Sequence, residues 1–154
     1  MKVGLKKLHE NEWLVHMGCA AVKMDQFSVA LLNITLAHLL ALEQGESHSM
    51  LKSYIKLGLR IKALKDLECQ NLLRVLDNKD ILMFMMVAND PELNDLIMKN
   101  TGGILAKQFE ADLANASMPN KEILKGAIRR IVEKTFELES LGQIEFTSTD
   151  TKYI

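Results

Sequence analysis

The stretch KDILMFMMVAND, residues 79–90, places eight apolar residues in a row, Ile81 to Ala88, three of them methionines. Four readings compete: a membrane segment, a buried strand, a core helix, or a surface that grips a partner. Eight residues fall far short of the roughly 20 that a helix needs to cross a bilayer. Length alone would permit a strand. Methionine favours helix, however, and helical patterns flank the run on both sides. The polar DNKD at 77–80 supplies capping groups, and Asp90-Pro91 closes the run, because the residue before proline is disfavoured in the helical region. The pattern therefore predicts one short helix, apolar all round and buried.

Towards the carboxyl end, Asp90 is placed to cap a helix that has Pro91 in its first position and Leu93, Ile97 and Met98 facing inward. Thr101-Gly102-Gly103 breaks that helix, with Thr101 as an ordinary cap of the next. In that next helix Ile104, Leu105, Gln108, Phe109 and Leu113 form one face, while Lys107, Glu110 and Asp112 lie off it. ANASMPN at 114–120 reads as a loop. A long helix follows from about Lys121 to Leu141, with Leu124, Ile128, Ile131 and Leu138 on its inner face and Gly142 as its C′ residue. The tail QIEFTSTDTKYI reads as extended.

Towards the amino end, Leu67, Leu72, Leu73 and Leu76 suggest a helix stopped by DNKD. Leu51, Ile55 and Leu59 mark another, beginning near Ser47 or His48. Asp25 is the N-cap of a third, in which Leu32, Leu36, Leu39 and Leu40 recur at helical spacing until Gly45. Before it, Val3 and Leu5 alternate with lysines, HENE at 9–12 offers a turn, and Trp13, Val15, Met17 and Cys19 alternate again, the pattern of a β-hairpin. The expectation is a mainly α (α+β) fold, a right-handed stack of short helices with a small N-terminal β-hairpin.

Composition limits the function classes. The chain has 154 residues, 48% hydrophobic and 25% charged, with a net charge of −1. That is an ordinary globular composition, enough for one domain or two closely packed subdomains without metal or disulfides. The charge balance gives no basic footprint for nucleic acid and no polybasic anchor for a membrane surface. MKVGLKKLHENEWL at the start has no apolar core followed by a cleavage site, so a cytoplasmic location is expected. Cys19 and Cys69 are then expected to be free, mostly buried thiols.

Catalytic chemistry is hard to place. His16, Cys19 and Asp25 could be drawn as metal ligands, but no second His/Cys pair completes a tetrahedron. His38 falls on the polar side of its helix, and His48 suits a cap or a loop. There is no Ser-His-Asp order, nucleophile elbow, P-loop or dinucleotide turn. Gly102-Gly103 could bind an anion, though an ordinary capped helix start explains it. Glu137 and Glu139 read as solvated. Neither an enzyme nor a cofactor or metal site is expected. Met83, Met85 and Met86 read as core filler, the alternative being an adaptable partner-binding groove.

From about residue 66 to the end, the ordered series LECQNLLRVLDNKDILMFMMVAND, PELNDLIMKNTGGILAKQFEADL and IRRIVEKTFELESLGQIEF resembles the C-terminal domain of the flagellar motor switch protein FliG. The resemblance covers about 89 residues. It implies an armadillo-like stack for residues 65–154, with residues 1–64 as a separate N-terminal part of hairpin and helices. No Met-Phe-x-Phe hinge or preceding FliG domain is matched. In the family, charged residues on and near the helix after the Asn-Met-Ser break face the stator. At the corresponding positions here stand Val87, Ile104, Ala111 beside Asp112, and Asn120 in SMPN. Charge that has been replaced cannot steer or pair. An apolar residue on an exposed face can instead form a contact patch, and Lys99, Lys107 and Asp112 could rim one around Ile104.

The resemblance thus implies a non-enzymatic protein–protein interaction module, a divergent accessory or regulator of the flagellar switch complex. Its expected partners are rotor, stator or polar flagellar proteins, met at the cytoplasmic face of the basal body. Neither nucleic acid nor membrane insertion is expected. A homodimer is a further expectation, because an unpaired hairpin edge near Trp13 invites dimerisation or a covering segment. One alternative is a shortened but genuine rotor subunit that still generates torque. The other is a transcriptional or signalling regulator whose Lys2, Lys6, Lys7 and Lys23 contact phosphates.

Overall fold

The computed structural model describes residues 1–41 and 49–146, with the backbone alone at His38, Leu40 and Ala41. The chain divides into two compact units, residues 1–53 and 54–154.

The first unit opens with an antiparallel meander of β1 (Val3–His9), β2 (Glu12–Met17) and β3 (Ala20–Asp25), in the order β1-β2-β3. The expected hairpin is there, extended by a third strand. Ala20-Ala21 hid that strand, because alanine is depleted in strands and weakens the alternation. Gly18, at φ +64, opens the two-residue turn into β3, which suits the glycine that a type II′ turn wants first. Leu5, Val15 and Val22 lie opposite one another across the three strands, so they share one face with Val3 and Met17. Helix α1 (Gln26–Ala41) follows, and Asp25 Oδ1 accepts the Ser28 N–H at 2.8 Å, the expected cap.

Helix α2 (Met50–Gly58) begins later than expected, with Ser49 Oγ accepting the Lys52 N–H at 3.4 Å. His48 and the other expected start, Ser47, lie outside the described residues. The expected inner face of Leu51, Ile55 and Leu59 is only half-buried, and burial falls on Tyr54, Leu57, Gly58 and Ile61 instead. Gly58 explains the rotation. A Cβ built there would lie 2.7 Å from Phe84 Cζ, so the bare backbone is what lets the ring seat against this face.

After a 3-10 helix (Leu59–Ala63) come α3 (Asp66–Val75), α4 (Asn78–Ala88), α5 (Pro91–Asn100), α6 (Gly103–Asn115) and α7 (Lys121–Ser140). They form the mainly helical, armadillo-like stack. Helix α4 lies along α7 and also meets α6, while α5 packs on α3, α6 and the 3-10 helix. The core contains Cys69, Leu72, Ile81, Phe84, Met85, Leu93, Ile97, Phe109 and the inner face of α7, including Ile128, Ile131 and Val132.

The run at 81–88 is a helix, as its flanks predict. Its burial is one-sided, however: Ile81, Phe84 and Met85 are buried, whereas Leu82, Met83, Met86 and Val87 are half-buried. A surface stack has neighbours on only part of the helix circumference, so an apolar composition did not secure burial all round. Three further expectations change. Leu67 is 68% exposed, Cys19 is exposed in its turn, and Ile104 and Gln108 stand outside rather than on the inner face of α6. Cys69 is buried, which pushes its thiol up to about 11 and leaves it unreactive.

Junctions are made by local chemistry. Asp77 Oδ1 caps α4 through the Lys79 N–H, and Asn89 closes that helix in the left-handed region at φ 46. Asp90 Oδ1 then accepts the Leu93 N–H at 2.9 Å, with Pro91 as the first helical residue. Its other oxygen lies 2.9 Å from Lys62 Nζ, which also reaches Glu92 at 2.6 Å. At the end of α7, Gly142 at φ +68 sends its N–H to the Glu139 carbonyl, and the Gln143 N–H reaches that of Leu138. That is a Schellman closure, and it returns Ile144 to the core.

Two predictions follow from these contacts. Gly58→Val should destabilise the chain by about 1–3 kcal/mol through overpacking against Phe84, whereas Gly102→Ala, with open space around it, should stay within about 0.5 kcal/mol. Chemical denaturation would read both. The second concerns Asp90, whose carboxyl is held below the ordinary value by the Leu93 N–H and then by Lys62. A depressed carboxylate stabilises the fold above its unfolded pKa and loses that contribution as pH falls through the folded one. Asp90→Ala should lower the denaturation midpoint at neutral pH, and the gap to wild type should close only below about pH 4.

Candidate functional site

Helix α6 begins at a bare point in the second unit. Thr101 is the C-cap of α5, its hydroxyl donating to the Met98 carbonyl at 3.2 Å, so the expected N-cap role for Thr101 passes to Gly102. Gly102 offers no side chain to the first turn. Neither glycine of the pair is demanded by packing, since a Cβ at Gly102 or Gly103 would meet nothing within 4 Å. Neither has a left-handed backbone. What the pair does is leave the backbone open beside Ile104, which is 90% exposed.

Two adjoining depressions meet at this point. One, of about 620 Å³, is lined by Asn78, Gly102, Gly103, Ile104, Leu105 and Gln108. The other, of about 680 Å³, shares Asn78, Gly102 and Leu105 and continues past Lys99 to Gln70 and Arg74 of α3. Together they make a groove with an apolar knob at one end and polar side chains at the other.

The sequence-derived site residues fall into distinct places. Ile104, Lys107 and Ala111 lie at spacings of three and four on α6 and share its exposed face. Asp112 is half-buried at the edge of that face and accepts from Gln108 Nε2 at 2.9 Å. Lys99 lines the groove, with its charge tied to Asp66 at 2.7 Å; that lysine, then Asn100, holds the Asp66 carboxyl below its ordinary range. Val87 is half-buried near the end of α4, and Asn120 caps α7 by accepting the Ile123 N–H at 2.9 Å. Neither lines the groove. Gln70, Arg74 and Asn78 were missed as groove residues, because only the tertiary stacking of α3 and α4 beside α6 brings them there.

The methionines divide between core and surface. Met85 is buried, while Met86 joins it with Leu113 and Met118 around a depression of about 360 Å³. Met83 lines a separate depression of about 640 Å³ between α4 and α7, where Arg130 holds Asp80 through two bonds of 2.8 and 2.6 Å. Asp80 is buried, and pairing with it raises the Arg130 guanidinium pKa further.

Of the weak ligand candidates, His16 and Cys19 are exposed and Asp25 is engaged in capping α1. Among the described residues no cluster of three or more His, Cys, Asp or Glu side chains could hold a metal, and no helix is long and apolar enough to cross a membrane. A family model described as FliG C-terminal domain matches residues 46–146. No curated protein and no solved structure matches the chain.

Removing Arg130 would strand a buried carboxylate. Arg130→Ala should therefore cost about 1–3 kcal/mol in chemical denaturation, whereas Arg129→Ala, which breaks only the exposed pair with Glu133, should cost less than about 1 kcal/mol.

Proposed function

Because the chain belongs to the FliG C-terminal domain family, and so is a flagellar motor switch-related protein-interaction module, we propose that it is a divergent accessory or regulator of the switch complex. It binds a rotor, stator or polar flagellar protein at the cytoplasmic face of the basal body, by shape and apolar contact. The docking face runs along α6, from the groove beside Lys99 and Gly102 to Ile104, Lys107 and Ala111.

The observation that carries this reading is the 90% exposure of Ile104 beside two glycines that neither packing nor backbone geometry requires. Among the described residues Ile104 is more exposed than any other large apolar side chain except Met1, so covering it with a partner would bury more apolar surface than at the others of its size. An open glycine backbone lets that partner approach closely. The groove adds polar groups, including Asn78 and Gln108, that can fix orientation. Lys107 and Asp112 suit a rim, where charge selects partners more than it binds them.

The test is direct binding of the purified chain to purified flagellar rotor and stator proteins. Ile104→Lys, which should leave the fold intact because the residue is exposed, should weaken binding by more than about tenfold, as for a central interface anchor. Lys107→Ala should weaken it less and chiefly slow association. Unchanged affinity of Ile104→Lys, or absence of binding to any of these proteins, would refute the proposal.

A further inference from the structure

Helix α1 carries eleven apolar residues and no charged one in its sixteen positions, QFSVALLNITLAHLLA, in a chain that is 25% charged. A helix apolar all round belongs inside something. Yet among its described side chains only Phe27 is buried. Phe27 marks one side of the helix. The opposite side, about 160° round at 3.6 residues per turn, carries Val29, Leu32, Leu36 and Leu39 at spacings of three, four and three. Leu36 and Leu39 are 48% and 53% exposed, and Val29 and Leu32 are half-buried.

We propose that this stripe is a self-association surface, on which α1 packs antiparallel against α1 of a second copy of the chain. The 3-4-3 spacing is the a/d seam of a helix pair, in which each knob enters a hole made by like residues of the partner. Crossing between Leu32 and Leu36 sets each of these against the other across the two-fold axis, and Val29 against Leu39. Two-fold pairing brings like residues face to face, so an ordinary charged surface repels its own copy. This helix has no Asp, Glu, Lys or Arg from Gln26 to Ala41, so no such repulsion arises, and the antiparallel crossing also opposes the two helix dipoles. Area sets the strength. A helix of sixteen residues is only about 24 Å long, and its one seam covers less than the ~800 Å² per partner of a standard interface. The dimer is therefore a weak, transient one.

The experiment is sedimentation velocity on the full chain across a concentration series that spans micromolar to millimolar, with far-UV circular dichroism as the fold control. Wild type should rise from 17.4 kDa towards twice that mass as concentration increases. Leu36→Glu/Leu39→Glu should remain monomeric over the whole series with an unchanged helical signal. Val3→Lys/Leu5→Lys, at two exposed positions of β1 in the same unit, should still dimerise. The proposal is overturned by a wild-type chain that stays monomeric throughout, by a dimer that survives the double glutamate substitution, or by one that only the sheet variant dissolves.

Discussion

Phe84 occupies the space that a side chain at position 58 would take. With the ring seated against the bare backbone of α2, α4 can lie along α7, and Ile81, Phe84 and Met85 then enter the core with Ile128, Ile131 and Val132. The buried face of α2, with Tyr54, Leu57 and Gly58, is the one turned towards that ring. The corner at Asn89-Asp90-Pro91 is made locally and is tied to the 3-10 helix by Lys62, which pairs with Asp90 at the start of α5. The start of α6, and Ile104 with it, is placed by the packing of that helix against α4 and α5.

What was legible in the sequence was mostly what is local. Asp25, Asp77 and Asp90 cap helices, and Gly142 closes one, because each acts on backbone groups within a few residues of itself. The inner face of α7 could be read from its period, since a long helix repeats its signal. The short helices were less readable. In α2 the apolar spacing of Leu51, Ile55 and Leu59 pointed to one face, while a contact with a ring 26 positions later in the chain chose another. In α6, Ile104 and Gln108 were grouped with Leu105, Phe109 and Leu113, but both stand on the side of the helix turned away from buried Phe109. The strand β3 was hidden for a third reason: its alanines hold the register through backbone pairing and contribute little to the pattern.

The candidate site shows the same division. Residues on one helix, Ile104, Lys107 and Ala111, could be grouped from sequence, and they do share a face. Their surroundings could not. The groove beside them needs α3 and α5 to end, and α4 to begin, near the start of α6, and no residue in α3 announces that. Lys99 and Asn120, singled out by position, turn out to be engaged within the fold itself, one with Asp66 and the other with the first turn of α7. The Lys99–Asp66 pair is exposed and therefore weak, so it competes little with the apolar contact that Ile104 offers on that face.

The central claim is that the start of α6 meets a motor protein in the cell. Site-specific photo-crosslinking from position 104 in swimming cells tests it most directly, with position 123 on α7, another exposed isoleucine, as the reference. The account predicts a crosslink from 104 to a rotor, stator or polar flagellar protein and none to that protein from 123. Equal crosslinking from both positions, or adducts from 104 only to proteins outside the motor, would contradict it.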